Sequence, residues 1–313
     1  MAPPRQLFNR WFQFGAVAGF ASAVLYTAAN VQLRRSVGVD PFLVAAVKSV
    51  PTTLGIVPAV LWMLARRQPL ATDYSMATRF AAVALLGQFV GNAAFQVALE
   101  HITLAVAVPI TLGTLIIGGG LLGWRYLGEP IGRARAVSMV LLITAVGVLS
   151  MGDNQTNASV TGEQATGPPV VWWGAACAVA SGAAYSLFGV TMRRTLQSGM
   201  SLPVTMLISG VVGMVSLWGY CGVRLGTAYF HTITDHQWWV MSTAGAFNFA
   251  AFAALSAALQ RLPVVAVNLI NASQVAMATL AGVWLFDESL NGSVYAGVLL
   301  TVAGLLVLTA GRR

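Results

Sequence analysis

Residues 16–35 read AVAGFASAVLYTAANVQLRR, and residues 175–194 read AACAVASGAAYSLFGVTMRR. Ser22-x-x-x-Tyr26 ahead of Arg34-Arg35 recurs as Ser181-x-x-x-Tyr185 ahead of Arg193-Arg194, a shift of 159 (185 − 26). The same shift carries Val106-Ala107-Val108-Pro109-Ile110 onto Val265-Ala266-Val267-Asn268-Leu269, and Leu127-Gly128-Glu129 onto Phe286-Asp287-Glu288. Between these landmarks Gln88 aligns with Asn248, and Gln96 with Ser256, after a slip of one residue. A single offset shared by separate landmarks marks an internal duplication, and that choice comes before any other about architecture.

The duplicated unit is apolar throughout. Of 313 residues, 57% are hydrophobic and only 8% are Asp, Glu, Lys or Arg, against roughly 25% charged residues in an ordinary soluble domain. So few ionic side chains cannot cover the outside of a water-soluble core. Soluble enzyme, disordered linker and nucleic-acid binder are excluded, the last despite a net charge of +8, because no run of three basic residues occurs. Cys177 and Cys221 are isolated and give neither a disulfide framework nor a metal-ligand spacing. The chain reads as an all-α, polytopic integral membrane protein.

A bilayer core about 30 Å thick needs roughly 20 apolar residues per helix. That ruler predicts ten transmembrane helices near residues 12–33, 42–65, 79–99, 102–123, 134–151, 170–192, 203–222, 237–259, 263–286 and 293–310. The runs are continuous rather than alternating, which excludes a β-barrel. Residues 152–169, polar and nearly central, read as an extracytoplasmic linker between a first five-helix repeat (1–151) and a second (170–313). Thirteen of the seventeen basic residues fall on the side of the two termini, leaving Arg34, Arg35, Lys48 and Arg224 on the other. By the positive-inside rule both termini are cytoplasmic, and the expected location is a bacterial inner membrane. Asn154-Gln155-Thr156 and Asn157-Ala158-Ser159 are glycosylation acceptors only in a eukaryotic secretory pathway, and otherwise part of a plain hydrophilic loop. The first 30 residues also have the outline of a signal peptide, but the duplication needs the first helix.

Each repeat holds five spans, an odd number, so the second copy enters the membrane inverted. Inverted repeats are how many secondary transporters are built, since two related halves can rock to open alternately to either side. Ten spans in two such repeats, with Leu127-Gly128-Glu129-Pro130 between a helix and a Gly-containing helix, resemble the drug/metabolite transporter superfamily, specifically its EamA branch. The resembling stretches are Leu104–Gly147 and Pro263–Gly304, together with Pro41–Lys48, where Lys48 stands at a position the family usually gives to Arg. The second half departs from the pattern. Helix 203–222 has no basic partner for Lys48, and Asn268 replaces Pro109, which argues against a pocket built symmetrically by both halves.

Polar side chains within hydrocarbon face a cavity or one another. Gln88, Asn92 and Gln96, spaced i, i+4, i+8, share one face of an α-helix, and Asn248 and Phe252 lie on its pseudo-equivalent. Asn268, Asn271 and Gln274 share a face of the ninth helix, and Tyr26, Asn30 and Tyr185 add further amides and aromatics. These residues are candidates for substrate binding, with hydrogen-bonding between helices as the competing role. Lys48, the only lysine, stands six residues past Phe42, roughly 9 Å into the second helix. Its long stem allows the ammonium to snorkel to the outer surface; otherwise it is a pocket cation for a carboxylate. Glu129 and Glu288 each close the fourth helix of their repeat and either cap the next helix or serve gating. Glu100 and His101, at the outer end of the third helix, are candidates for coupling.

No acidic residue lies deep in any span, no basic cluster faces the interior, and no GxxxxGK[ST], HExxH or GxSxG motif occurs. The expected function is secondary transport, not enzymatic catalysis, with no cofactor and no metal. The cargo is a small neutral or zwitterionic metabolite such as an amino acid, and the resemblance implies export; sugar or nucleotide-sugar carriage is the alternative. The expected partners are the lipid bilayer and the small-molecule substrate, with no nucleic acid, and the chain is expected as a monomer or homodimer.

Overall fold

The structure is a computed structural model that describes residues 4–68, 74–129, 132–152, 168–287 and 292–310. These residues form ten helical rods and, among themselves, no strand. They are α1 (Pro4–Arg35), α2 (Pro41–Ala65), α3 (Tyr74–His101), α4 (Leu104–Leu127), α5 (Arg133–Gly152), α6 (Pro168–Gln197), α7 (Leu202–Phe230), α8 (Asp235–Leu259), α9 (Val264–Phe286) and α10 (Gly292–Ala310). Eight of them are long and apolar enough to cross a bilayer, while the apolar stretches found in α5 and α10 are shorter, Ala136–Ala145 and Tyr295–Gly304. Residues 153–167 of the expected linker, Glu288 and Pro130 lie outside the described residues, while Gly152 ends α5 and Pro168 and Pro169 begin α6.

Local chemistry sets the helix ends. Asp40 caps α2, its carboxylate accepting from the N–H groups of Phe42 and Leu43 at 2.9 and 3.2 Å, and Pro41 follows where its missing N–H costs nothing. Thr234 and Gln237 close a capping box at the start of α8. At the end of α4, Gly128 takes a left-handed conformation (φ 64°), a geometry that Gly adopts without a Cβ penalty. Two helices are not continuous α-helix. Within α3, Gly87–Ala93 forms a π-helical segment, and α7 breaks at Gly226 (φ 69°, ψ 166°) before its last turn.

The outside of the bundle is apolar. Leu54, Leu61, Val223 and Leu299 are exposed, as only a lipid-facing surface explains for so many large side chains. Exposed Trp62, Trp124, Trp172, Trp239 and Trp284 stand near helix ends, where indole rings settle at the membrane–water interface. Inside, buried side chains form two main clusters. One gathers Leu33, Leu43, Leu99 and Leu104 at the end of the bundle where α2 begins. The other gathers Phe80, Met192, Met206 and Leu259 toward the end where α8 stops.

Helix neighbours follow a two-fold rule. The pairing of α1 with α8 is matched by that of α6 with α3, α4–α6 by α9–α1, and α2–α8 by α7–α3. The pairs α2–α7, α4–α9 and α5–α10 map onto themselves under the same exchange. The pair α5–α10 lies to one side, tied by the Ser138 hydroxyl donating to the Gly304 carbonyl at 2.6 Å. The other eight helices surround the space between the two apolar clusters.

Candidate functional site

That space is a cavity of about 170 Å³, room for on the order of ten waters or one small metabolite. Eleven of the twelve residues that the sequence nominates for substrate binding line it: Tyr26, Asn30, Lys48, Gln88, Asn92, Tyr185, Asn248, Phe252, Asn268, Asn271 and Gln274. Gln96 does not. It is buried, and its amide N–H donates to the Leu33 carbonyl at 3.2 Å and the Ser36 hydroxyl at 3.3 Å. The shared face of Gln88, Asn92 and Gln96 assumed an unbroken α-helix. The π segment turns with i→i+5 hydrogen bonds, so the residue two α-turns below Gln88 leaves the cavity face and packs toward α1.

Lys48 does not snorkel. It is 5% exposed, and its ammonium points inward, donating to Asn92 Oδ1 at 2.5 Å. Tyr185 donates its hydroxyl to the same oxygen at 2.6 Å. The Asn92 amide N–H in turn donates to Gln88 Oε1 at 2.6 Å, and Gln88 donates to the Ser209 carbonyl at 3.4 Å. Both amide N–H groups in this relay point away from the lysine, so the amide dipoles present their negative ends to it. They offset part of the cost of a cation in hydrocarbon, about 2.5–3.5 kcal/mol on insertion scales. The arrangement needs Gly91. A Cβ there would sit 2.7 Å from the Tyr185 ring.

A second hub faces the first. Asn271 Oδ1 accepts from the Ser22 hydroxyl at 2.8 Å and the Gln274 amide at 3.0 Å, while Asn268 donates to the Leu115 carbonyl at 3.4 Å. Tyr26, Asn30 and Asn248, by contrast, make no side-chain hydrogen bond among the described residues. Their polar groups face the cavity uncommitted, which is the condition a ligand-binding group satisfies and an interhelical tie does not. Phe188, Phe252 and Leu255 form an apolar wall, the two rings 5.8 Å apart. Sequence reading missed Phe188, Ser49, Thr52 and Ser209. Phe188 is one turn beyond Tyr185, and Thr52 one turn beyond Lys48, so helical spacing held the signal.

Both halves line the cavity, although the sequence departures argued against that symmetry. What is one-sided is the charge, since Lys48 has no counterpart on α7.

The ends of the cavity are tied by charge. Glu129 accepts from Arg193 and, through Oε2, from the Val264 N–H at 3.0 Å. It therefore caps α9, in the other half. Its proximity to the C-terminus of its own α4 is unfavourable, but the N-terminus of α9 and Arg193 supply the compensating positive ends. Arg193 also donates to the Leu259 and Leu262 carbonyls, and Arg34 likewise donates to the Leu99 and Ile102 carbonyls. The duplicated arginines thus perform the same task, each closing the third helix of its own half. Toward the opposite end, Arg224 reaches Asp40 at 3.3 Å and stands over the rings of Phe42 and Tyr220, and Tyr229 accepts the Asp40 N–H at 2.9 Å. Glu100 and His101 end α3 away from the cavity lining. His101 Nδ1 is buried without a partner among the described residues.

A model of the EamA-like transporter family matches residues 172–310. A solved structure described as "Crystal structure of protein" is similar over 95% of this chain and 96% of that one, with a TM-score of 0.66 and 18% identity. No curated protein matches. Through its second half, the chain is similar to the EamA-like transporter family, which supports a place in the drug/metabolite transporter superfamily. That match supports a membrane transporter. The solved structure shares its fold, and at that identity carries nothing about cargo. The chain has a concave, partly polar cavity between packed helices from both halves, the kind of place where small ligands bind.

Proposed function

We propose that the chain is a secondary carrier that exports a small neutral or zwitterionic metabolite, an amino acid being the type case, by alternating access. On this reading residues 1–151 and 170–313 are two five-helix repeats of opposite orientation joined by the extracytoplasmic segment 152–169, and both termini are cytoplasmic in a bacterial inner membrane. The observation that carries it is the cavity between the two apolar clusters, lined by uncommitted Tyr26, Asn30 and Asn248 and by one cation, Lys48. Polar groups held ready at the centre of an apolar bundle have a use in binding and none in packing. The exchange of helix partners under the two-fold supports a rocking motion, since each interface in one half has a related interface in the other.

Two cross-half ties fit such a cycle. Glu129–Arg193 joins α4 to α6 and α9, and Asp40–Arg224 joins α2 to α7, at opposite ends of the cavity because each crossing reverses the chain. The test is counterflow: purified chain in liposomes preloaded with an unlabelled amino acid should accumulate the labelled one several-fold above empty liposomes. Accumulation of sugars but of no amino acid would replace this cargo reading, and no flux of any solute would end the carrier reading.

A further inference from the structure

Lys48 brings a positive charge into a cavity whose lining, among the described residues, contains no acidic side chain. An ammonium has three N–H donors. One is given to Asn92 Oδ1; among the described residues no acceptor takes the other two. Asn92 Oδ1 also receives the Tyr185 hydroxyl, so both of its lone pairs are occupied. The acids toward the cavity ends are committed, Glu129 to Arg193 and the Val264 N–H, and Asp40 to the start of α2 and Arg224. The described residues therefore hold the cation in position with neutral dipoles and supply no counter-charge. A buried charge is tolerated when it is paired.

Resting on the carrier reading above, we propose that the cargo's own carboxylate is the counter-ion of Lys48, and that the cargo class extends to organic monocarboxylates with an apolar body. The carboxylate occupies the two free N–H directions of Lys48, and the apolar body lies against Phe188, Phe252 and Leu255. An amine on the cargo is dispensable, because no acidic group in the lining awaits it. An amino acid leaves the loaded cavity with the net charge of the empty one, whereas a monocarboxylate brings it to zero. A dicarboxylate overshoots, with no second cation in the lining to meet it.

The test uses the full chain in detergent and four probes of one skeleton: 3-phenylpropionate, phenylalanine, phenethylamine and phenylsuccinate. Thermal unfolding should shift upward with 3-phenylpropionate at least as far as with phenylalanine, and not with phenethylamine or phenylsuccinate. Lys48→Met should weaken 3-phenylpropionate binding at least roughly tenfold, as truncating one partner of a buried charge pair does, and Lys48→Arg should retain part of it. The proposal is overturned if phenethylamine stabilises as well as phenylalanine, if 3-phenylpropionate produces no shift, or if Lys48→Met responds like the wild type. Should Lys48→Met fail to fold, the ranking of the four probes on the wild type decides the matter. Counterflow of another solute by a chain that fails this test leaves the carrier reading intact and removes only the carboxylate.

Discussion

The cavity depends on one absent side chain as much as on any that is present. Gly91 lets the Tyr185 ring lie against the α3 backbone, where an added Cβ would come within 2.7 Å of it. Tyr185 in turn holds Asn92, and Asn92 holds Lys48. Gly219 is also helical, but nothing lies within 4 Å of its virtual Cβ. The same substitution should therefore act with opposite sign at the two positions. Gly91→Ala is expected to destabilise by about 1–3 kcal/mol through overpacking and to weaken cargo binding. Gly219→Ala is expected to stabilise by up to about 1 kcal/mol, the helix-propensity gain. Thermal unfolding in detergent measures both, and equal effects at the two sites would remove the role given to Gly91. Most of the candidate site was legible because polar residues are rare in apolar helices and each one is conspicuous. Gln96 was misplaced for a physical reason. A π segment has no composition that distinguishes it from α-helix, so the face it turns is invisible until the backbone is known.

Arg193 and Glu129 show how a short polar network replaces solvent at helix ends. Four orphan carbonyls end every α-helix and four orphan N–H groups begin it, and inside a membrane protein water is scarce. Arg193 satisfies two carbonyls at the end of α8, and Glu129 one N–H at the start of α9. Loss of the two partners is thus unequal. Glu129→Gln leaves Arg193 its carbonyls and should cost about 1–3 kcal/mol. Arg193→Met leaves a buried carboxylate and two carbonyls unpaired, and should cost about 3–5 kcal/mol. Chemical or thermal denaturation of the two variants checks the order, and a larger loss for Glu129→Gln would refute it. The sequence placed the arginine pairs in register but offered Glu129 only the following helix or a gating role, and did not name α9. Capping by the following segment is the local expectation, whereas the actual partner lies 135 residues away, a distance no spacing rule spans.

The arrangement of ten rods followed from segment counting and the shift of 159, since hydrocarbon thickness fixes helix length and duplication fixes their pairing. Helix ends did not follow, because α3, α6 and α7 run several residues past their apolar segments into the interface, where polar side chains remain solvated. Opposed orientation of the halves is open to a direct test. Cys177 and Cys221 are both buried, so introduced thiols can be labelled over a low background. Ser159→Cys and Arg312→Cys should react with an impermeant maleimide from opposite sides of a sealed membrane; reaction from one side would end the inverted arrangement. The cavity cation has a consequence of its own. Lys48 is the chain's only lysine, so it is also the only side-chain amine open to acylation. On the proposed carrier reading, the compartment from which an acylating reagent reaches it is the compartment the cavity faces, and a single acyl mark on Lys48 records that facing state without any engineered reporter.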